Sequence, residues 1–264
     1  MILATIGLSG QASPPSSLAP TGMAVVPAGD YWMGRTRLWL MDEIGWQLRD
    51  RADDRPVHRV SLAAFAIDAH EVTNAEYAAL ATAAKVQVPY HWGGPRPAVG
   101  KEQHPVYNVS WFDASKVCAA QGKRLPTEAE WEEAARGAVA DADYPWGNDE
   151  YFGEPPTPKG RPERRAQSGS STGPVAVASF APNGFGLYDM SGNVWEWVSD
   201  WYDLYYYSTS GVDNPTGPRE GLYKVMRGGG WADGETRYGT VYYRNFTAPS
   251  TAQPTIGFRC AKSL

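Results

Sequence analysis

Three carboxylates, Asp189, Glu196 and Asp200, lie in the segment NGFGLYDMSGNVWEWVSDWY (183–202), which is otherwise crowded with aromatic rings and small turn formers. In the run VWEWV (194–198) an extended backbone sends Trp195 and Trp197 to one side and Val194, Glu196 and Val198 to the other. A glutamate held among apolar neighbours is costly unless it is paired. Two arrangements relieve it: an ion pair with Arg or Lys, or a hard divalent cation ligated by carboxylate and carbonyl oxygens.

Signatures of the common catalytic chemistries are missing. The sequence has no Walker loop, no His-Glu-x-x-His and no Gly-x-Ser-x-Gly. The RGGG run at 227–230 sits in a strand-like context and opens no helix, so it is a poor phosphate cradle. His58, His70, His91 and His104 lack metal-ligand spacing and read as surface or packing histidines. With a net charge of −5 and no basic stripe, the chain is not expected to bind nucleic acid. Cys118 and Cys260 are its only cysteines, and spacing alone leaves open whether they pair.

The elements that must position these residues are partly legible. Eleven Trp and fifteen Tyr alongside 28 Gly and 21 Pro indicate irregular backbone pinned by rings. Capping boxes at Thr73–Glu76 and Thr127–Glu130, and a weaker start at Ser110, announce three helices, with Gly122 and Gly137 as stops for the second and third. MAVVPAGDYWMG (23–34) reads as a hairpin turning at Ala28-Gly29-Asp30, and HRVSLAAFAID (58–68) reads as a strand. The charged stretch 35–55, with Trp39 and Trp46, reads as an inserted loop, and YPWGN (144–148) as an ordered knot in a Gly- and Pro-rich middle. YKVMRGGGW (223–231) is strand-like. No βαβ alternation is present, so the fold class is α+β.

Residues 1–20 read as a signal remnant or linker. Ile2–Leu8 is apolar and Gly10 and Ala12 suit a cleavage site, but a basic start is lacking. The lean is towards a periplasmic or secreted protein, otherwise a cytoplasmic one. No other apolar run approaches the roughly 18 residues of a membrane span.

Read in order, MAVVPAGDYWMG, HEVTNAEYAAL, GKRLPTEAEWEEAARG, YPWGN, NGFGLYDMSGNVWEWVSDWY, NPTGP, VMRGGGW and IGFRCA resemble the formylglycine-generating enzyme (sulfatase-modifying factor) family. The resemblance covers most of residues 23–263. It implies one compact α+β domain over residues 21–264, a variant of the C-type-lectin fold with much irregular structure. It also implies an activity: the family's enzymes use two cysteines, just after an Arg/Lys-Gly-Gly-Ser motif, to bind one copper ion. Copper and oxygen then oxidise a substrate cysteine to formylglycine.

This chain departs from that pattern. RGGGWADGETRYGTVYYRN (227–245) contains no cysteine, Gly230 stands where the motif has serine, and Asp233 falls near the first cysteine position. A carboxylate is a poor Cu(I) ligand, so copper is not expected. The resemblance places Cys118 and Cys260 in two different disulfides whose other halves are missing here, which implies two buried, unpaired thiols.

Calcium carries over better. The family's calcium-wrapping stretch matches Asp189 and Glu196 through side chains and Gly192 and Val194 through backbone carbonyls, giving a structural ion. A second family calcium site has Gln167 in place of Asn and is not carried over. If the family's groove persists, its wall is Trp231–Asn245. Trp231, Asp233, Glu235, Arg237 and Tyr238 are the candidate groove residues. Arg244, Asn245 and Arg259 are expected to hold loops, and Tyr205–Tyr207 to pack.

Two functions follow from the resemblance. One is a maturation or oxidation factor acting on a peptide or protein substrate without the cysteine–copper chemistry. The branch resembling the pyoverdine-chromophore maturation protein is a precedent. The other is a non-catalytic, lectin-like module binding a peptide, protein or glycan.

Overall fold

All three helix starts form as their caps dictate. In the computed structural model, which describes residues 19–37, 53–148, 173–233 and 236–264, Thr73 and Glu76 close a full capping box on α1 (Asn74–Ala84). Ser110 accepts the Asp113 N–H at the start of α2 (Trp111–Ala120). Thr127 and Glu130 cap α3 (Glu128–Arg136), which ends at the left-handed Gly137. A Cβ there would sit 2.9 Å from the Asn183 side chain, so this stop fixes a close approach as well as a turn.

The strands correct two expectations. β1 (Met23–Val26) and β2 (Gly29–Met33) are adjacent in sequence but do not pair with each other. β1 runs antiparallel to β4 (Phe65–Asp68), and β2 to β3 (His58–Leu62). Alternation records that a strand has a buried face; it does not record its partner. HRVSLAAFAID is likewise two strands. It breaks at Ala63, whose N–H is taken by the Asn214 side chain. Most of the 35–55 loop, including Trp39 and Trp46, lies outside the described residues, as do residues 1–18.

A four-stranded sheet has the order β7 (Asn245–Thr247), β6 (Lys224–Arg227), β5 (Trp195–Trp201), β8 (Ile256–Gly257), with only β8 parallel to its neighbour. β9 (Ala261–Ser263) joins β4 in a second sheet. β5 divides the hydrophobic interior. Val198 belongs to one core, with Trp131 and Val225, while Trp195 and Trp197 belong to the other, with Met226 and Phe258. That is the alternation read from VWEWV.

Cys118 and Cys260 are not two thiols. They form a disulfide between α2 and the residue before β9, with Cα atoms 5.6 Å apart. The backbones of Arg124 and Ala261 exchange hydrogen bonds and carry the end of α2 alongside the C-terminal strand. This juxtaposition of residues 142 apart leaves no local trace in the sequence.

Candidate functional site

The glycine run places the groove segment. Gly228 and Gly229 adopt φ of 94° and 80°, and a Cβ on Gly228 would meet the Trp131 ring at 3.1 Å. A Cβ on Gly230 would meet Trp195 at 3.0 Å. The backbone therefore threads between two indoles where only glycine fits. Trp231 then donates its N–H to Asn193 O at 2.7 Å, and Gly192 donates to Gly228 O at 2.8 Å, tying the groove segment to the 189–196 loop.

The predicted groove residues fall into two pairs. The Asp233 carboxylate accepts the Gly230 N–H at 2.7 Å, and the Trp231 indole donates to Pro254 O at 2.9 Å, which stiffens one turn. Arg237 donates to the Tyr238 hydroxyl at 3.2 Å and stacks over its ring at 5.0 Å. Tyr238 in turn meets Trp195 and Tyr243 edge-on, at 6.1 and 5.0 Å. Glu235 lies outside the described residues. Tyr243 belongs to the same 231–245 segment, and the buried Trp195, which sequence reasoning did not place here, packs against both Tyr238 and Tyr243.

The 189–196 loop resolves the fate of Glu196. The fully buried Arg259 pairs with both of its oxygens at 2.7 Å, and the Trp131 indole donates to Glu196 Oε2 at 2.7 Å. Its carboxylate is satisfied by protein alone. Asp189, at φ 58°, accepts the Ala178 N–H through Oδ2. Gly192 sits in the same turn at φ 89°, and Val194 is buried just before β5. Glu71 was missed by sequence reasoning. It is wholly buried, and its carboxyl reaches its own backbone N–H. It lies within hydrogen-bonding reach of Asp189. Burial, and then the Asp189 charge, drive the Glu71 carboxyl far above its ordinary range; burial likewise raises Asp189. The available signal was an acid three residues past the buried strand β4 (Phe65–Asp68).

Asp189 and the oxygen-rich turn suit a hard cation, but Glu196, held by Arg259, does not fit as a ligand. Among the described residues no three His, Cys, Asp or Glu side chains converge on one point. Any cation here would therefore take backbone carbonyls as well as carboxylates. Copper does not fit: the chain's two cysteines are consumed by the disulfide, so no thiolate exists to bind Cu(I).

A buried ion network holds the wall from behind. Arg227 on β6 reaches Glu128 at 3.0 Å and Glu132 at 2.5 Å, both on α3. Glu132 also accepts from Arg136 and from the Gly34 N–H. Arg244 forks onto both oxygens of Glu128 at 2.7 and 3.0 Å and caps Asp53 O. Arg244 and Arg259 thus hold structure, as expected. Of the three tyrosines, Tyr207 packs in the core while Tyr205 is exposed.

Asp200, unassigned by sequence, accepts the Glu128 N–H at the start of α3 and the Ser199 hydroxyl, both at 2.9 Å. Burial, and then the charge of Glu128, push its carboxyl up to about 7. A folded pKa above the unfolded one gives stability that is complete below about pH 4 and lost as the pH rises towards 7. Asp200→Asn should therefore gain on wild type by about 2–4 kcal/mol between pH 4 and pH 8, read from urea unfolding at the two pH values. A difference that does not change with pH would contradict a carboxyl that ionises only near neutrality.

The chain matches the sulfatase-modifying factor enzyme 1-like domain over residues 9–264. It belongs to the formylglycine-generating enzyme family. It is 34% identical to the formylglycine-generating enzyme of Streptomyces coelicolor, over 91% of this chain and 88% of that enzyme. It is 32% identical to the inactive C-alpha-formylglycine-generating enzyme 2 of Mus musculus, over 81% of this chain and 80% of that protein. Against the serine/threonine-protein kinase pkn1 of Chlamydia pneumoniae it is 33% identical over 92% of its own length, but spans only 38% of the kinase. Among solved structures, PvdO from Pseudomonas aeruginosa superposes with a TM-score of 0.70 at 26% identity, covering 92% of this chain and 94% of that one. The described residues form one α+β domain, the fold shared with PvdO. No helix among the described residues is long and apolar enough to cross a membrane.

Proposed function

We propose that this member of the formylglycine-generating enzyme family binds a peptide or protein segment along the Trp231–Tyr238 wall without oxidising a cysteine through a copper–thiolate centre. The observation that carries this reading is the disulfide: it takes the chain's only two cysteines and buries both. The groove's own polar groups are engaged in stiffening it, Asp233 on Gly230 N and Arg237 on Tyr238. A pre-stiffened aromatic wall suits recognition, because little side-chain freedom is lost on binding. The maturation-factor reading draws on the 34% identity to an active-named enzyme across nearly its whole length. It requires a reaction that uses no protein thiol.

Calcium, in this proposal, is structural and sits in the loop that begins at Asp189. Export fits the same molecule, since disulfides persist in oxidising compartments.

The test is a fluorescence-anisotropy titration with a panel of labelled peptides, half with a sulfatase-type cysteine motif and half with serine in its place. Saturable binding is expected, weakened about tenfold or more by Trp231→Ala, the loss typical of an aromatic contact residue. Affinity unchanged in both Trp231→Ala and Asp233→Ala would remove this wall from the binding surface.

A further inference from the structure

Lys224 is a buried amine held by rings rather than by an acid. It opens β6 opposite Trp201, the last residue of β5, and is 4% exposed. Its Nζ lies 3.8 Å from the centre of the Trp201 ring and 4.1 Å from that of Trp111, and donates to Ser199 O at 2.6 Å. Both rings are fixed in place. The Trp111 indole donates to Val198 O at 2.8 Å, and a Cβ on Gly221 would come within 3.0 Å of Trp201, so only glycine lets the chain press onto that ring. Ring faces attract a cation but bring no countercharge. Among the described residues no carboxylate hydrogen-bonds the amine, and Asp200 is the one acid whose charge acts on it. Lys224 also lines an open cavity of about 550 Å³, within the roughly 300–1,000 Å³ of small-molecule sites. Leu62, Leu125 and Leu264 share that wall. Arg124 and Glu130 border it as well, but two bonds of 2.6 Å make them neutralise each other. Among the described residues, none of the Trp231–Tyr238 wall borders this cavity.

We propose that this cavity binds an apolar monocarboxylate, with its carboxylate on Lys224 Nζ and its hydrocarbon or aromatic body against the leucines. An ammonium has three donors, and Ser199 O takes one of them, so donors remain for a ligand oxygen. One monoanion balances one lysine in a charge-assisted pair. A phosphate would bring more charge than a single lysine answers, and an uncharged apolar molecule would fill the space while leaving the lysine charge unbalanced. The same head group occurs on a free acid and at the C-terminus of a peptide. The pH dependence has a definite sign. Burial pulls the Lys224 amine down to about 8, with Asp200 acting against the fall. The Asp200 carboxyl, raised to about 7, is uncharged in mild acid. As the pH rises Asp200 gains a negative charge and Lys224 loses its positive one, so both changes weaken the hold on an anion.

The experiment is isothermal titration of the full chain with phenylacetate, its uncharged match phenylacetamide, and N-acetylphenylalanine as a stand-in for a peptide C-terminus. Wild type should bind phenylacetate saturably and at least about tenfold more tightly than the amide, the margin of a hydrogen bond to a charged group. Lys224→Met should lose that preference, and Lys224→Arg, which keeps the charge between the rings, should retain it. Should Lys224→Met fail to fold, wild type decides alone: affinity for the acid should fall between roughly pH 6 and roughly pH 9 while affinity for the amide stays level. N-acetylphenylalanine binding as well as phenylacetate would assign the head group to a chain end, and weaker binding would assign it to a free acid. Equal affinity for acid and amide, a preference that survives in Lys224→Met, or an acid affinity that does not change with pH would each overturn the proposal, as would the absence of saturable binding of either acid.

Discussion

Glu132→Gln is expected to cost about 3–5 kcal/mol, the usual penalty for removing one partner of a buried ion pair. Glu132 is wholly buried on α3 and serves three donors at once: Arg227 Nη2, Arg136 Nη2 and the Gly34 N–H. Although burial alone would raise its carboxyl, Arg136 and Arg227 pull it below its ordinary value. A neutral amide keeps the shape, yet leaves the fully buried Arg227 with excess positive charge. A loss of this size is a large part of a domain's total stability of about 5–15 kcal/mol. The midpoint of urea unfolding, followed by tryptophan emission, should fall sharply, and the groove should loosen with it because Arg227 opens the glycine run. A variant within about 0.5 kcal/mol of wild type, the range of ordinary surface changes, would show that the network is incidental to the fold. The lowered carboxyl also sets a pH sign. This stabilisation is present above about pH 4.5, the ordinary glutamate value, and is lost as the pH falls through the depressed folded value.

Opening the Cys118–Cys260 disulfide should have the second large effect. The bridge spans 142 residues and joins α2 to the end of the chain. Closing so long a loop restricts the unfolded chain strongly, and loss of a native disulfide typically costs about 2–5 kcal/mol. Both sulfurs lie in the core with Phe258 and Val117, so a Cys118→Ser, Cys260→Ser double variant would also bury two hydroxyls, whereas paired alanines would leave a small void. Wild type under strong reductant and the alanine double variant should therefore lose similar stability. A reduced protein that unfolds at the same urea concentration as the oxidised one would contradict the role of the bridge as a staple.

What the sequence disclosed was what local chemistry encodes. The Thr73, Ser110 and Thr127 caps are written within four residues, so the helices formed where expected. The two-sided burial of β5 followed from the period of VWEWV. Features set by distant partners were hidden. Alternation in MAVVPAGDYWMG looks the same whether the strands pair with each other or with β4 and β3. Glu196 was recognised as needing a partner, but whether that partner was a cation or an arginine depended on Arg259, 63 residues away. Glu71 carried almost no signal, because an acid beside a helix start is normally an exposed cap. Family motifs pointed to Trp231–Asn245, while the contacts that Asp233 and Arg237 make there needed coordinates.

On the proposed function, the family scaffold recognises its ligand without thiol–copper oxidation. Its most direct test is the mass of a cysteine-containing, sulfatase-type peptide after incubation with the copper-supplied protein in air. The peptide should bind and its cysteine leave unchanged. Conversion of that cysteine to formylglycine at a rate above the protein-free control would contradict it.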